Sequence, residues 1–272
     1  MRNWLENNYV ILSGASGGIG RALCKILITK YGAKVVGIGR SEEKMRSLVK
    51  ELGSAADRFS YRLFDVGEKQ NWLDFKLWLE EQGISPVLLV NNAGAFPTFA
   101  KALDVREEVV ESILRTNYLS AVYAISALSS VPAIVNICSA AALCTIVGTS
   151  AYSASKGALQ GYTEALMMEE KGKKYIGIVY PGTTATELFR NDEHTKNSAL
   201  DRIAMPAEKM AKKIARKLYK KRRRAVLGFD AHAMNFMASI MPVKGPAFIS
   251  WVMKKSGSKV FKNVFGENKS GK

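Results

Sequence analysis

Two histidines and three cysteines are all that this 272-residue chain offers a soft metal ion. Cys24, Cys138 and Cys144 form no C-x-x-C pair, and His194 and His232 lie far apart, so no metal site is expected. Such a sparse, odd cysteine set argues against a disulfide framework and for reduced thiols in a cytosol. The apolar run of about 18 residues that a spanning helix needs is missing. The opening MRNWLENNYV lacks the apolar core of a secretory signal, so a cytoplasmic protein is expected. No repeat and no low-complexity linker interrupts the chain.

Positive charge, by contrast, is abundant, with a net of +16. Residues 207–272 hold 17 Lys and Arg against 3 Asp and Glu, while residues 1–206 hold 23 against 21. The excess therefore belongs to the C-terminal segment. Nucleic-acid binding would call for a recognition fold or for aromatics interleaved with the basic run. Neither is present, so no nucleic-acid partner is expected.

Short apolar runs alternate with amphipathic stretches. Tyr9–Leu12, Lys34–Ile38, Phe59–Phe64, Val87–Val90, Ala133–Ile137 and Ile176–Tyr180 are predicted to be buried strands, with a last one at Ala225–Gly228. Arg21–Lys30, Glu42–Leu52, Lys69–Glu81, Arg106–Ala127, Ser153–Glu170 and Ala207–Lys220 are predicted to be helices. This alternation implies an α/β fold: a Rossmann-like, doubly wound parallel sheet with helices on both faces. Residues 1–228 are expected to form that domain, and 229–272 a basic, apolar helical extension.

The first strand runs into Ser13-Gly14-Ala15-Ser16-Gly17-Gly18-Ile19-Gly20, after which a helix begins. Glycines let the backbone turn tightly beside a pyrophosphate, and the helix start offers it unpaired N–H groups. At the end of the second strand, Gly39 stands where an acid would bind a ribose diol. Arg40 follows, whose guanidinium suits a 2′-phosphate, and Ser41 can add a hydroxyl. NADP(H) is thus favoured over NAD(H).

Farther on, Ser139 follows the strand Ala133–Ile137, and Tyr152 and Lys156 lie four apart on a helix, sharing a face. A free phenol has a pKa of about 10. A neighbouring ammonium, helped by an oxidised nicotinamide, is expected to lower it by roughly 1–3 units. Tyr152 could then exchange a proton with a substrate oxygen that Ser139 also binds.

The G-x-x-x-G-x-G spacing of Gly14, Gly18 and Gly20, together with Ser139, Tyr152 and Lys156, resembles the short-chain dehydrogenase/reductase family. The likeness covers roughly residues 7–228, with Ser13 where the family usually has Thr. It implies an oxidoreductase of carbonyl and alcohol groups, with catalytic residues Asn117, Ser139, Tyr152 and Lys156. Asn117 matches the family's asparagine that holds a proton-relay water. Cofactor contacts implied are Ser13, Gly14, Ser16, Gly18, Ile19 and Gly20 at the turn, and Arg40 and Ser41 beyond it. Asp65 and Val66 would meet the adenine, and Asn92, Ala93 and Gly94 would line the cleft. Pro181, Gly182, Thr184 and Thr186, with Tyr152 and Lys156, would complete the nicotinamide end. A homo-oligomer, dimer or tetramer, is also implied. The interval from Asn117 to Ser139 is shorter than the family's usual one, which places a trimmed turn at Leu128–Val131.

Residues 187–206 match the family's variable substrate loop, in which Leu188 and Phe189 are apolar contacts and His194 reads as a solvated side chain. Beyond Gly228, apolar stretches at Ala231–Met241 and Pro246–Met253 alternate with lysines. They fit a lid over the substrate cleft or an amphipathic anchor at a membrane surface. Both readings suit a small hydrophobic carbonyl or alcohol, steroid-like or lipid-like. A 3-oxoacyl thioester reductase and an NADPH-binding or membrane-docked protein without turnover are the alternatives.

Overall fold

The computed structural model describes residues 3–186, 204–255 and 261–265. Its main sheet has seven strands, all parallel, in the order β3-β2-β1-β4-β5-β6-β9. They are β1 (Tyr9–Ser13), β2 (Lys34–Gly39), β3 (Phe59–Leu63), β4 (Pro86–Asn91), β5 (Ala133–Ile137), β6 (Tyr175–Pro181) and β9 (Arg224–Leu227). β1 is third in the order, beside the central β4, and the strand sequence reverses direction between β1 and β4. Ligands of such sheets bind in the crevice at the carboxyl ends of the strands, where the order reverses. A two-stranded parallel piece, β7 (Thr184–Ala185) with β8 (Met205–Pro206), sits apart from the sheet.

Helices cover both faces. On one side α1 (Gly18–Tyr31) packs against Ala207–Tyr219, here α8, through Leu23, Leu27, Met210, Ile214 and Leu218, all fully buried. The other side holds α3 (Lys69–Glu81), α5 (Ser120–Ala127) and α7 (Ser150–Glu169). There Trp72 is buried with Phe75 and Leu79, and its indole N–H donates to the Val66 carbonyl at 2.9 Å. A large apolar side chain buried this way contributes about 1.5–3 kcal/mol.

Local chemistry sets the helix ends. α2 (Glu42–Leu52) starts at Ser41, whose hydroxyl accepts from the Lys44 N–H, and carries Glu42 and Glu43 in its first turn. α1 stops at Gly32, which adopts φ +64° and donates to the Ile28 and Leu27 carbonyls. The expected helix Arg106–Ala127 is observed in three parts. α4 (Glu107–Leu114) and α5 are joined by a π turn at Arg115–Leu119. Such single wide turns mark functional sites in many helices, and this one carries Asn117. α5 ends at Ala127, and the tight turn through Leu128–Val131, closed by Val131 N–H on the Leu128 carbonyl, leads into β5.

A buried polar chain crosses the core. Asn91 on β4 faces Asn136 on β5 in register, and its Nδ2 donates to Asn136 Oδ1 at 2.8 Å. Asn136 Nδ2 in turn donates to Thr163 Oγ1 on α7 at 2.8 Å.

Past β9, α9 (Phe229–Ile240) and α10 (Lys244–Lys255) follow, then α11 (Lys262–Phe265). Gly245 and Pro246 lie in the first turn of α10. A proline is tolerated there because first-turn N–H groups have no partner within the helix.

A surface clamp joins α1 to α2: Glu51 takes Arg21 at 2.7 Å and Lys25 at 3.0 Å. These hydrogen bonds hold the Glu51 carboxyl down to about 2, from an ordinary 4.5. A depressed acid contributes stability above its unfolded pKa and loses it as pH falls through the folded one. Glu51→Gln is therefore expected to lower thermal stability modestly at neutral pH, the pair being solvated, and to flatten the fall between pH 4.5 and about 2, so that the two proteins converge in acid. Unfolding temperatures measured across that range would check it; parallel curves for both proteins would contradict it.

Candidate active site

A cleft of about 420 Å³ opens at the carboxyl ends of the strands. One end is the turn after β1. Gly14 and Gly18 take φ +67° and +51°, a region costly for side chains. A Cβ at Gly14 would stand 2.9 Å from Ala93 Cα, and one at Gly20 only 2.6 Å from Asn92 Nδ2. α1 follows its N-cap Gly17 with no side-chain cap and no acid in its first turn, and Gly17, Gly18 and Ile19 line the cleft there.

The sequence-predicted residues divide by place. Gly14, Ser16, Gly18 and Ile19 line the turn end, and Arg40, Asp65 and Val66 the rim beyond β2 and β3. Asn92, Ala93, Gly94, Pro181, Gly182, Thr184 and Thr186 line the middle, and Ser139, Tyr152 and Lys156 the far wall. Ser13, Gly20, Ser41 and Asn117 are not on the cleft surface but directly behind it. Ser13 Oγ accepts from the Asn92 and Ala93 N–H groups at 3.0 Å, tying β1 to the segment after β4. Gly20 lets Asn92 approach, and Ser41 Oγ accepts from the Lys44 N–H in capping α2.

Asn117 is buried. Its Oδ1 accepts from the Ala95 N–H at 2.7 Å, while Nδ2 donates to the Ala95 carbonyl at 2.9 Å and to Ser155 Oγ at 2.9 Å. The π turn thus aims an amide that clamps the segment after β4 to the helix of Tyr152.

Tyr152 is 7% exposed and its ring meets Phe96 edge to face at 5.2 Å. Lys156 Nζ lies 6.0 Å from the Tyr152 ring centre and donates to the Ile137 carbonyl at 3.1 Å. In the free chain, burial pushes the Tyr152 phenol up to about 12, with a hydrogen bond to Ser139 pulling the other way. The same burial lowers the pKa of the Lys156 ammonium. Ser139 is extended and half-buried, and its Oγ accepts from the Ala141 N–H at 3.1 Å as the short helix α6 (Ala140–Leu143) begins.

Several residues were missed in the sequence. Lys44, four residues after Arg40, also lines the rim. Asp230 at the start of α9 reaches the loop after β6 and accepts from the Thr183 N–H at 2.5 Å. Gly182 has no room for a side chain there, since a Cβ would meet the Asp230 carboxylate. Phe96, Phe99, Ile146 and Met234 form an apolar wall. Phe99 stacks edge-on with Phe261 at 5.0 Å, so α11 and its neighbours support that wall. No local pattern signals these contacts, which join Thr183 to Asp230 across 47 positions and Phe99 to Phe261 across more than a hundred. Leu188, Phe189 and His194 lie outside the described residues; Ala204, at the end of that loop, lines the cleft.

A family model described as short chain dehydrogenase matches residues 8–197. The chain belongs to the short chain dehydrogenase family. Members of that family are oxidoreductases of CH–OH and keto groups and bind NAD(P)(H). A relative of this short chain dehydrogenase is the 3-ketodihydrosphingosine reductase of Bos taurus, 29% identical over 203 residues. The match takes in 71% of this chain and 61% of the bovine protein, so the chain spans about three fifths of that relative. The 3-oxoacyl-(acyl-carrier-protein) reductase of Mus musculus is 30% identical over 193 residues, 68% of this chain and 80% of its own. A crystal structure of a short-chain dehydrogenase from Streptomyces avermitilis superposes with a TM-score of 0.75 at 23% identity, covering 93% of this chain and 98% of that one. That likeness is one of fold.

Proposed function

We propose that this protein reduces a ketone, and oxidises the matching secondary alcohol, on a hydrophobic skeleton, using NADPH in preference to NADH. The observation that carries the reading is the meeting of Ser139, Tyr152 and Lys156 on one wall of a cleft whose other end is an uncapped, glycine-rich helix start. The residues present fit a dinucleotide. Side chains are excluded where a pyrophosphate would lie against Gly14 and Gly18, and the start of α1 there carries no side-chain cap. Arg40, with Lys44 beside it, would hold the 2′-phosphate, Asp65 and Val66 the adenine, and Thr184 and Thr186 the nicotinamide amide. When bound, the cofactor supplies or accepts the hydride.

The chain's own work is to place and protonate the substrate oxygen. Tyr152 gives that oxygen its phenolic proton on reduction and takes one back on oxidation. Ser139 Oγ hydrogen-bonds the same oxygen and stabilises charge gathering there. Lys156 favours the phenolate when the proton has left. Asn117 acts one step back, as a positioning residue for Ala95 and Ser155.

Two features support a lipid-like substrate. The wall beyond Tyr152 is apolar, and the bovine and mouse relatives are named for 3-keto and 3-oxoacyl compounds. The mouse relative also favours a second reading, a ketone carried on an acyl thioester.

Oxidation of NADPH and of NADH should be followed against long-chain, steroid, bile-acid and thioester-borne ketones, and simple ones. Turnover with NADPH that is fastest on long-chain or steroid ketones is the expected result. Fastest turnover on thioesters would favour the second reading. Tight NADPH binding with no turnover in either direction would overturn both, in favour of a cofactor-binding role.

A further inference from the structure

Among the described residues, seven of the twelve exposed large apolar side chains lie between 229 and 252. Every exposed phenylalanine and tryptophan is among them: Phe229 at 90%, Phe236 at 61%, Phe248 at 53% and Trp251 at 55%. They are not scattered. Phe229, Phe236 and Ile240 recur at seven and four residues along α9 and share its outer side. Phe248, Trp251 and Val252 share the outer side of α10, where the Phe248 and Trp251 rings stack at 5.9 Å. The opposite sides of both helices are already used. Ala231 is buried, Met234 lines the cleft, and Met253 packs against the cluster of Phe99 and Phe261.

Charge surrounds this patch. Residues 220–255 contain eight Lys and Arg and a single acid, Asp230, whose carboxylate is turned inward onto the Thr183 N–H. The run Lys220–Arg224 is exposed, and Arg224 Nη2 donates to Asn235 Oδ1 at 3.0 Å, which draws the run beside α9. Lys244, Lys254 and Lys255 are exposed at the two ends of α10.

We infer that the outer faces of α9 and α10 form a docking surface for an anionic lipid bilayer. Aromatic and aliphatic side chains enter the interface while flanking lysines and arginines meet the lipid phosphates. A spanning role is excluded for these helices by length. Each has 12 residues, about 18 Å of helix, against a hydrocarbon core of about 30 Å. No helix among the described residues is long and apolar enough to cross a membrane. A protein partner would also need acidic groups facing eight cations; an anionic bilayer supplies them on every side. Because α9 lines the cleft with Met234 and faces outward with Phe236, docking would bring the cleft wall within one helix diameter of the lipid.

Co-sedimentation of the full chain with vesicles tests this independently of any turnover. Vesicles of phosphatidylcholine alone should leave the protein free. Vesicles of equal parts phosphatidylcholine and phosphatidylglycerol should pull it down, less so as salt rises. Brominated lipid should quench tryptophan fluorescence in the wild-type protein and not in Trp251→Phe. The double variant F248D/W251D should bind anionic vesicles at least about tenfold more weakly. K254E/K255E should weaken binding in the same direction, and it guards against a fold defect in the first variant. The inference is overturned by equal binding to both vesicle types, by binding to neither, or by unchanged binding of both variants. It is overturned as well if sedimentation velocity shows a wild-type oligomer that F248D/W251D dissociates while vesicles are ignored, since the face would then join two copies of the chain.

Discussion

Tyr152→Phe should lower kcat for ketone reduction by roughly 100- to 10,000-fold while NADPH affinity changes by no more than a few-fold. The substitution removes one oxygen. The ring keeps its place against Phe96, and Lys156 keeps its bond to the Ile137 carbonyl, so the cofactor end of the cleft is undisturbed. The two directions of the reaction should also respond oppositely to pH. Reduction needs the protonated phenol, and burial holds Tyr152 up at about 12 in the free chain. Reduction should therefore hold its rate through neutral pH and fall only as the medium becomes alkaline. Oxidation needs the phenolate and should climb with pH over the same range. Cofactor charge lowers the pKa in the complex, so the crossover belongs to the complex and lies below the free-chain value. Profiles of kcat/KM against pH in both directions would show this. A phenylalanine variant that turns over like the wild-type protein would remove Tyr152 from the proton path.

Arg40→Ala should raise the KM for NADPH by about 10- to 100-fold and leave that for NADH nearly unchanged. The guanidinium is exposed at the rim and stands 3.9 Å from Asp65, a pair too solvated to hold the side chain in place. It is available to a 2′-phosphate, which NADH lacks. Aspartate at position 39 would not simply convert the preference, because a Cβ there would sit 2.6 Å from Met45 Cε and Met45 is fully buried. Equal losses for both cofactors would mark Arg40 as a support of α2 rather than a phosphate ligand.

Much of this was legible in the sequence because the signals were local. A parallel strand buried on both faces is a largely apolar run, and β1, β2, β4, β5 and β6 each showed one; β3, expected to be buried, is an edge strand whose residues after Phe59 are mostly exposed. Four-residue spacing placed Tyr152 and Lys156 on one face without any knowledge of the fold. Boundaries were less legible at glycine. α1 begins at Gly18, ahead of the expected Arg21, because the weak helix formers Gly18 and Gly20 are held there by close packing against Thr186, Gly14 and Asn92. The π turn at Asn117 was invisible because its cause is tertiary: the amide must reach Ala95 and Ser155 together. Burial is also a property of the whole fold, so spacing alone gave the sign of the Lys156 effect on Tyr152 but not that of its environment. Asp230 and Phe261 escaped for the same reason, since their partners lie far away in the chain.

The Asn91–Asn136–Thr163 chain bears on how this protein could be engineered. Buried amides contribute little net stability, and here Asn91 Oδ1 has no partner at all. Valines, much nearer to asparagine in volume than leucines, would be favoured at 91 and 136 by a screen that rewards melting temperature. Yet those amides are what tell β4, β5 and α7 how to align, and α7 carries Tyr152 and Lys156. A variant chosen for heat resistance at these positions would keep its sheet and lose the common alignment of its catalytic helix, becoming sturdier and slower at once.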